Sequence, residues 1–229
     1  MAKHYIRQTS PHRIPVLGRK SVKWLAAPGA GPHKKNESVS ATSLLRDFLG
    51  IAKTASEAER IMSEGNFLVD GKKVTKGSFP VGFMDVVYLP LEKKHYVITI
   101  KNGKFACAPK TGETDRKYCQ VAKKHTMPGA KQVCTMHDGR TMPADKGLAV
   151  GDTVVMEVPS GKLVRLLKRQ EGAKCIITSG KHAGTLAIVG KILERVGSMG
   201  NEVEVSGPQG NFITVLKYIF IIDDNFKVE

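Results

Sequence analysis

Thr54-Ala-Ser-Glu57-Ala58-Glu-Arg60-Ile61-Met62-Ser-Glu-Gly65-Asn-Phe67-Leu-Val69-Asp70-Gly71-Lys72-Lys73-Val74 holds a helix start, a helix stop and a hairpin turn in one short run. Thr54 with Glu57 three positions later forms a capping box, in which each side chain satisfies a main-chain N–H at the helix start. Ala58, Ile61 and Met62 recur at helical spacing as the buried face, and Gly65 supplies the left-handed exit. Phe67, Leu68 and Val69 on one side and Val74 on the other flank Asp70-Gly71, a dipeptide suited to a two-residue β-hairpin. Upstream, Leu44, Leu45, Phe48 and Leu49 share one helical stripe that starts near Thr42, and Gly50 ends it. Two helices and a hairpin thus occupy residues 42–94, closing near Val86, Val87 and Leu89.

Beyond residue 95 the pattern turns to short β-rich runs. Residues 96–100, 104–108, 118–121, 153–158 and 163–167 are separated by turns such as Asn102-Gly103, Asp138-Gly139 and Ser160-Gly161, and predict a central β domain over 95–171. Residues 174–178, 185–189, 192–196, 202–205 and 212–222 repeat the style. They predict a separate small β-barrel over 172–229, because the charge balance changes abruptly there. The expected fold class is α+β, mostly β.

The 229 residues carry 36 Lys plus Arg against 21 Asp plus Glu, a formal net charge of +15. A chain this basic repels itself unless a polyanion lies beside it, and nucleic acid and anionic membrane are the abundant ones. With 41% hydrophobic and 25% charged residues it is otherwise ordinary for a folded protein. The charge is uneven: +7 over residues 1–40, +1 over 41–95, +7 over 96–171 and zero over 172–229. Residues 1–41 read as a basic extended tail, since Pro11, Pro15, Pro28, Pro32, Gly18, Gly29 and Gly31 break up sparse apolar residues and leave no core. Trp24 has two readings: stacked on RNA among basic side chains, or anchoring the tail with Leu25 through apolar area.

Other classes fall away. The longest apolar stretch, from Phe212 to Ile222, is interrupted by Lys217 and is well short of the ~20 residues of a membrane-spanning helix. Met1-Ala-Lys-His-Tyr-Ile-Arg7 has no apolar run of a secretory signal, so a cytoplasmic location is expected. Cys107, Cys119, Cys134 and Cys175 form no Cys-x-x-Cys, which leaves neither a zinc ribbon nor a redox pair. Cys134-x-x-His137 is the only ligand-like spacing, and buried small apolar residues are the reading preferred for these thiols. His137 beside Asp138 suggests acid–base chemistry, but neighbours on a strand point to opposite faces. No G-x-S-x-G, Walker loop or His-x-x-x-His is present, so neither enzyme activity nor a cofactor or metal is expected.

Two segments resemble known RNA-binding modules. The loop Thr178-Ser-Gly-Lys-His-Ala-Gly184, with Gly172 upstream and Ile176, Ile177, Leu186 and Val189 taken as inward residues, resembles a KOW motif, a hairpin module of several ribosomal proteins and transcription elongation factors. It departs from that pattern at Ala187, where a second loop-exit glycine is common. The helix, helix, hairpin unit resembles an S-four RNA-binding domain through Thr54, Glu57, Ala58, Ile61, Val69, Gly71 and Val74, but Ala55 and Glu59 stand where arginines are usual. Lys53 and Arg60 are the replacements at hand.

In order, Gly31-Pro-His-Lys34, the S-four-like unit, Gly82-Phe-Met-Asp-Val86, His137-Asp-Gly-Arg-Thr141, Val150-Gly-Asp-Thr153, the KOW-like hairpin and Gly210-Asn-Phe212 resemble the ribosomal S-four-e family of archaeal and eukaryotic small subunits. The end soon after the last strand is similar to its archaeal members. The resemblance implies a structural constituent of the 30S subunit that binds 16S-type ribosomal RNA and neighbouring small-subunit proteins, with no membrane and no small-molecule substrate. The implied RNA-binding residues are Lys3, Arg7, Arg13, Arg19, Lys20, Lys23, Trp24, His33, Lys34 and Lys35 in the tail, Lys53, Thr54, Arg60, Lys72 and Lys73 in the S-four-like unit, Lys123, Lys124 and Arg140 in the central unit, and Lys181 and His182 in the KOW-like loop. An RNA-modifying enzyme of the pseudouridine synthase type is the alternative. It needs an Asp in a Gly-Arg-Leu-Asp context, whereas Asp138-Gly-Arg140 runs in the other order. A KOW-bearing transcription factor would need a preceding α/β domain that this sequence lacks.

Overall fold

The computed structural model describes residues 5–7, 23–110, 112–129, 131–144, 147–195, 200–208 and 210–226. The fold is mostly β. Strand β1 (Tyr5–Arg7) pairs antiparallel with β2 (Trp24–Ala26), setting Arg7 opposite Trp24. Alternation along β2 separates the two apolar residues: Leu25 is buried, while Trp24 is 44% exposed with the Arg7 guanidinium 5.4 Å from its ring centre. Leu25 is therefore the anchor of this segment, and Trp24 faces outward.

Strand β3 (Ser38–Ser40) leads into α1 (Ala41–Ser43), where Ser40 Oγ accepts the Ser43 N–H at 3.2 Å. The regular helix expected from Thr42 is not continuous. After one turn the chain widens into a π turn over Leu44–Phe48, closed by Leu49 N–H to the Leu44 carbonyl at 3.0 Å. Leu44 and Leu45 still reach the core, with Phe48 and Leu49 at its margin.

Helix α2 (Ala55–Ser63) follows its sequence signals closely. Thr54 Oγ1 accepts the Glu57 N–H at 3.2 Å, and the Glu57 carboxylate accepts the Lys53 N–H at 2.9 Å. Ala58 and Met62 are fully buried, and Gly65 leaves the helix at φ +80°. Strands β4 (Leu68–Val69) and β5 (Lys72–Lys73) join through Asp70 (φ 50°) and Gly71 (φ 71°), both left-handed as a type I′ turn requires. Strand β6 (Pro80–Gly82) pairs with β3. Strands β7 (Val86–Leu89), β8 (Lys94–Lys101) and β9 (Lys104–Pro109) complete an antiparallel sheet ordered β5-β4-β7-β8-β9. That sheet continues across residue 94, the boundary expected from the sequence.

A second sheet is ordered β12-β11-β10-β13-β14, from β10 (Arg116–Met127), β11 (Lys131–Met136), β12 (Thr141–Pro143), β13 (Thr153–Glu157) and β14 (Leu163–Leu167). β10 runs well past the expected end at Val121. A bulge between Val121 and Lys123 shifts its register, and the outer half pairs only with β11, leaving residues 122–129 exposed as a projecting ribbon. β11 alternates only at its inner end, where Cys134 and Met136 are buried and Val133 and Thr135 half-buried, while Lys131 and Gln132 are both exposed on the ribbon.

The third sheet is ordered β18-β17-β16-β15-β19, from β15 (Lys174–Ile177), β16 (Leu186–Leu193), β17 (Glu202–Gly207), β18 (Gly210–Val215) and β19 (Ile219–Ile221). A 3-10 turn over Leu216–Tyr218 divides the expected final strand, with Lys217 on the turn. Ile192 and Leu193 end β16 past a bulge instead of starting a strand of their own, and Val196 lies outside the described residues. Among the described residues β18 and β19 stay as separate edges, so the ladder does not close into the expected barrel. Leu186 also departs from expectation. Val189 and Ala187 share the buried face, so period-two alternation turns Leu186 outward at 54% exposure, and Ala187 fills the inward place.

One core joins the units. Val39, Leu44, Met62, Phe67 and Val87 pack in the same apolar cluster as Tyr118 and Val155 of the second sheet and Ile176 and Phe220 of the third.

Candidate nucleic-acid interface

The structure sorts the expected RNA-binding residues into exposed and internally engaged ones. Lys23, Lys34, Lys35, Lys53, Lys72, Lys73, Lys123, Lys124 and Lys181 are exposed, and Arg7 lies over exposed Trp24. Lys3, Arg13, Arg19 and Lys20 lie outside the described residues. Arg60 is exposed but paired with Glu64 at 3.1 Å, so its charge is balanced locally. Thr54 is spent on capping α2. His182 stacks on Phe212 with ring centres 4.1 Å apart. His33 and Arg140 point inward, toward a feature the sequence did not disclose.

That feature is a buried ion cluster around Lys117, which is 1% exposed. Lys117 Nζ donates to Asp70 Oδ2 at 2.5 Å and to Asp85 Oδ1 at 2.6 Å, and lies 3.0 Å from Asp138 Oδ2. Asp85 is held further by the Gly82 N–H at 2.8 Å and by His33 Nε2 at 2.9 Å. The Arg140 guanidinium bridges Asp70 Oδ2 at 2.7 Å and Asp138 Oδ2 at 3.3 Å. Gly82 must be glycine here, since a Cβ would fall 2.4 Å from the His33 ring. The motifs around His33, Asp85 and Asp138, far apart in sequence, thus meet at one ammonium.

Burial alone would push the Lys117 ammonium down, yet the carboxylates of Asp85 and Asp70 hold it well above its ordinary value. Burial likewise opposes ionisation of Asp85, but Lys117 and His33 keep it well below the usual carboxylate range. Asp70 is the weakest acid of the three, because burial and the charge of Asp85 push it up against the pull of Lys117.

His137 borders the cluster. Its Nδ1 accepts the Gln120 N–H at 3.2 Å, so Nε2 carries the proton and donates to the Phe83 carbonyl at 3.0 Å. Burial and the Lys117 charge lower its pKa to about 4. The unfolded chain takes up this proton near pH 6.5 whereas the folded one resists to about pH 4, so the unfolded state binds more protons across that window and stability falls as pH drops through it. Up to about 3 kcal/mol of acid sensitivity is expected from this ring. Urea unfolding at pH 7.5 and pH 4.5 measures it; in His137→Gln the gap between the two should shrink by at least half.

Residues 92–163 match the model of ribosomal family S4e, and residues 45–87 match that of the S4 domain. The small ribosomal subunit protein eS4 of Methanocella arvoryzae is 32% identical over 220 residues, covering 96% of this chain and 93% of that protein. The chain belongs to ribosomal family S4e. The eS4 protein of Thermoplasma acidophilum is 35% identical over 208 residues, covering 90% of this chain and 87% of that one. The crystal structure of the 30S ribosomal protein S4e from the same organism matches with a TM-score of 0.70 at 33% identity, covering 81% of this chain and 95% of that chain. Proteins of this family are ribosomal proteins and not enzymes, which removes the RNA-modifying alternative.

The family match gives the ion cluster its place. Asp70 and Asp85 lie in the S4 match, Lys117, Asp138 and Arg140 in the S4e match, so two cations and one acid of one segment meet two acids of the other at the seam. Charge along the chain is therefore not the charge on the surface. Two acids of the S4 unit are consumed by bases of the next unit, which leaves the S4 surface more basic than its +1.

His137 and Asp138 lie in a turn and not on a strand, so the two side chains are not forced to opposite faces. With Cys119 they offer ligand atoms within 4.8 Å of one another. The group does not suit a metal ion: both His137 nitrogens are bonded, and Asp138 already faces Lys117 and Arg140. Cys119 and Cys134 share one apolar core of the second sheet, and burial pushes the Cys119 thiol well above its ordinary value. None of the four cysteines is in a disulfide.

Proposed function

We propose that the chain is a structural constituent of the small ribosomal subunit that binds 16S-type ribosomal RNA in the cytoplasm and supports assembly beside neighbouring small-subunit proteins. The observation that carries this reading is a family relationship running nearly end to end with proteins named for that subunit. The surface chemistry supports it. Lys123, Lys124 and Lys131 project on the β10–β11 ribbon with no acidic partner among the described residues, as a phosphate-binding arm requires. Arg7 over Trp24 is a second contact, and the exposed lysines at 34, 35, 53, 72 and 73 add further cations in water. A-form RNA offers phosphates and 2′-hydroxyls more than readable bases, which suits such dispersed cations. The 172–229 unit is proposed as a KOW-like module despite its open ladder, because its loop keeps the Gly180, Lys181, His182, Gly184 arrangement. Sedimentation of cell extract at low salt with magnesium tests the reading: the chain should travel with small subunits, and recovery only at the top of the gradient would refute it.

A further inference from the structure

Two loops from different sheets come together at the main-chain level. The Gly103 N–H donates to the Ala183 carbonyl at 2.9 Å, joining the β8–β9 turn to the β15–β16 loop. Gly184 makes that approach possible: its φ is +89°, and a Cβ there would lie 2.6 Å from the Ile100 carbonyl oxygen and 3.1 Å from the Asn102 nitrogen. Asn102 (φ 52°) and Gly103 (φ 71°) form the tight turn, which sets Lys101 and Lys104 directly opposite each other. The stack of His182 on Phe212 steadies the other loop next to Lys181.

The charge at this junction is one-sided. Like charges directly opposite across a strand pair cost stability, and a fold usually relieves them with an acid. Here no acidic residue occurs between Glu92 and Glu113 or between Glu171 and Glu194. Lys101, Lys104 and Lys181 are exposed, and none has an ion-pair partner among the described residues. The surface is thus preorganised, tri-cationic and shared by two units, and neither loop builds it alone.

We infer that the β8–β9 turn and the β15–β16 loop form one composite contact surface for an RNA backbone, with Lys101, Lys104 and Lys181 on phosphates. The inference rests on the rRNA reading proposed above and adds a site to it. Three ammonium groups without an exposed ring between them suit phosphates rather than bases, since lysine acts as a point charge and base recognition needs stacking or planar hydrogen bonding. The Lys101–Lys104 pairing then has a function, because its repulsion is relieved on binding.

The test uses the full chain and an archaeal 16S rRNA transcript, with affinity measured across a salt series. The triple variant K101Q/K104Q/K181Q should lower the slope of log affinity against log salt by about 2–3, about one per phosphate contact. Cleavage probes tethered at Asn102→Cys and at Lys181→Cys, with the unsubstituted chain as blank, should cut the same short stretch of RNA. A wild-type chain that binds with a slope unchanged in the triple variant overturns the surface alone, as do probes cutting at unrelated places. Failure of the wild type to bind overturns the rRNA reading and this surface with it. If the triple variant keeps its slope but loses a neighbouring protein on reconstitution, the surface is a protein dock and the RNA assignment falls.

Discussion

Lys117→Met is expected to destabilise the folded chain by about 3–5 kcal/mol, the cost of leaving buried carboxylates without their cation. The shapes of the two side chains are similar, so lost packing contributes little. What changes is the electrostatics: Asp70, Asp85 and Asp138 are 7%, 1% and 2% exposed. Arg140 still reaches Asp70 and Asp138, and Asp85 is left with His33 and the Gly82 N–H, so three buried carboxylates share one remaining cation. A loss of this size is a large part of the 5–15 kcal/mol that holds a domain together. Urea unfolding at pH 7 gives the number. Adding Asp70→Asn and Asp85→Asn to the Met variant should recover part of the loss, because two uncompensated charges are removed, and the coupling would show as non-additivity. A loss below 1 kcal/mol would mean that water reaches the cluster and that it does not hold the units together.

Removal of residues 1–22 is expected to lower the salt slope of rRNA binding by about 4, since it takes away Lys3, Arg7, Arg13, Arg19 and Lys20 at about 0.9 per phosphate contact. The cut must stop there. A deletion through residue 40 would also take buried Leu25 and Ala27, strand β3 and the His33 contact to Asp85, and would measure folding rather than binding. For the same reason the 172–229 unit is best probed by charge substitution, as Ile176 and Phe220 belong to the shared core. A slope within 1 of the full chain would show that the tail's charges do not meet RNA.

Local signals were legible where a few neighbouring residues settle the conformation. The Thr54–Glu57 cap, the Gly65 exit and the Asp70-Gly71 turn were readable because each needs only main-chain geometry and one or two side chains within four positions. The first helix was less so, since its π turn goes with the packing of Leu44 and Leu45 in a core shared with distant strands. The β10–β11 ribbon was half legible. Its lysines were visible, but the length of β10 depends on pairing with β11, a long-range event.

The charge shows the same division. By itself the sequence determined that the chain is strongly basic, mostly β, built of a capped helix and an Asp-Gly hairpin, and akin to a ribosomal family. Only the tertiary structure decided which charges remain available to a partner. Asp70 lies 47 positions and Asp85 32 positions from Lys117, yet burial brings them within hydrogen-bond distance and cancels them. Gly103 and Ala183, eighty positions apart, are instead joined main chain to main chain, and neither loop carries an acid. A charge counts toward a partner only when folding leaves it in water without a counterion, and folding pairs charges by distance in space rather than along the chain.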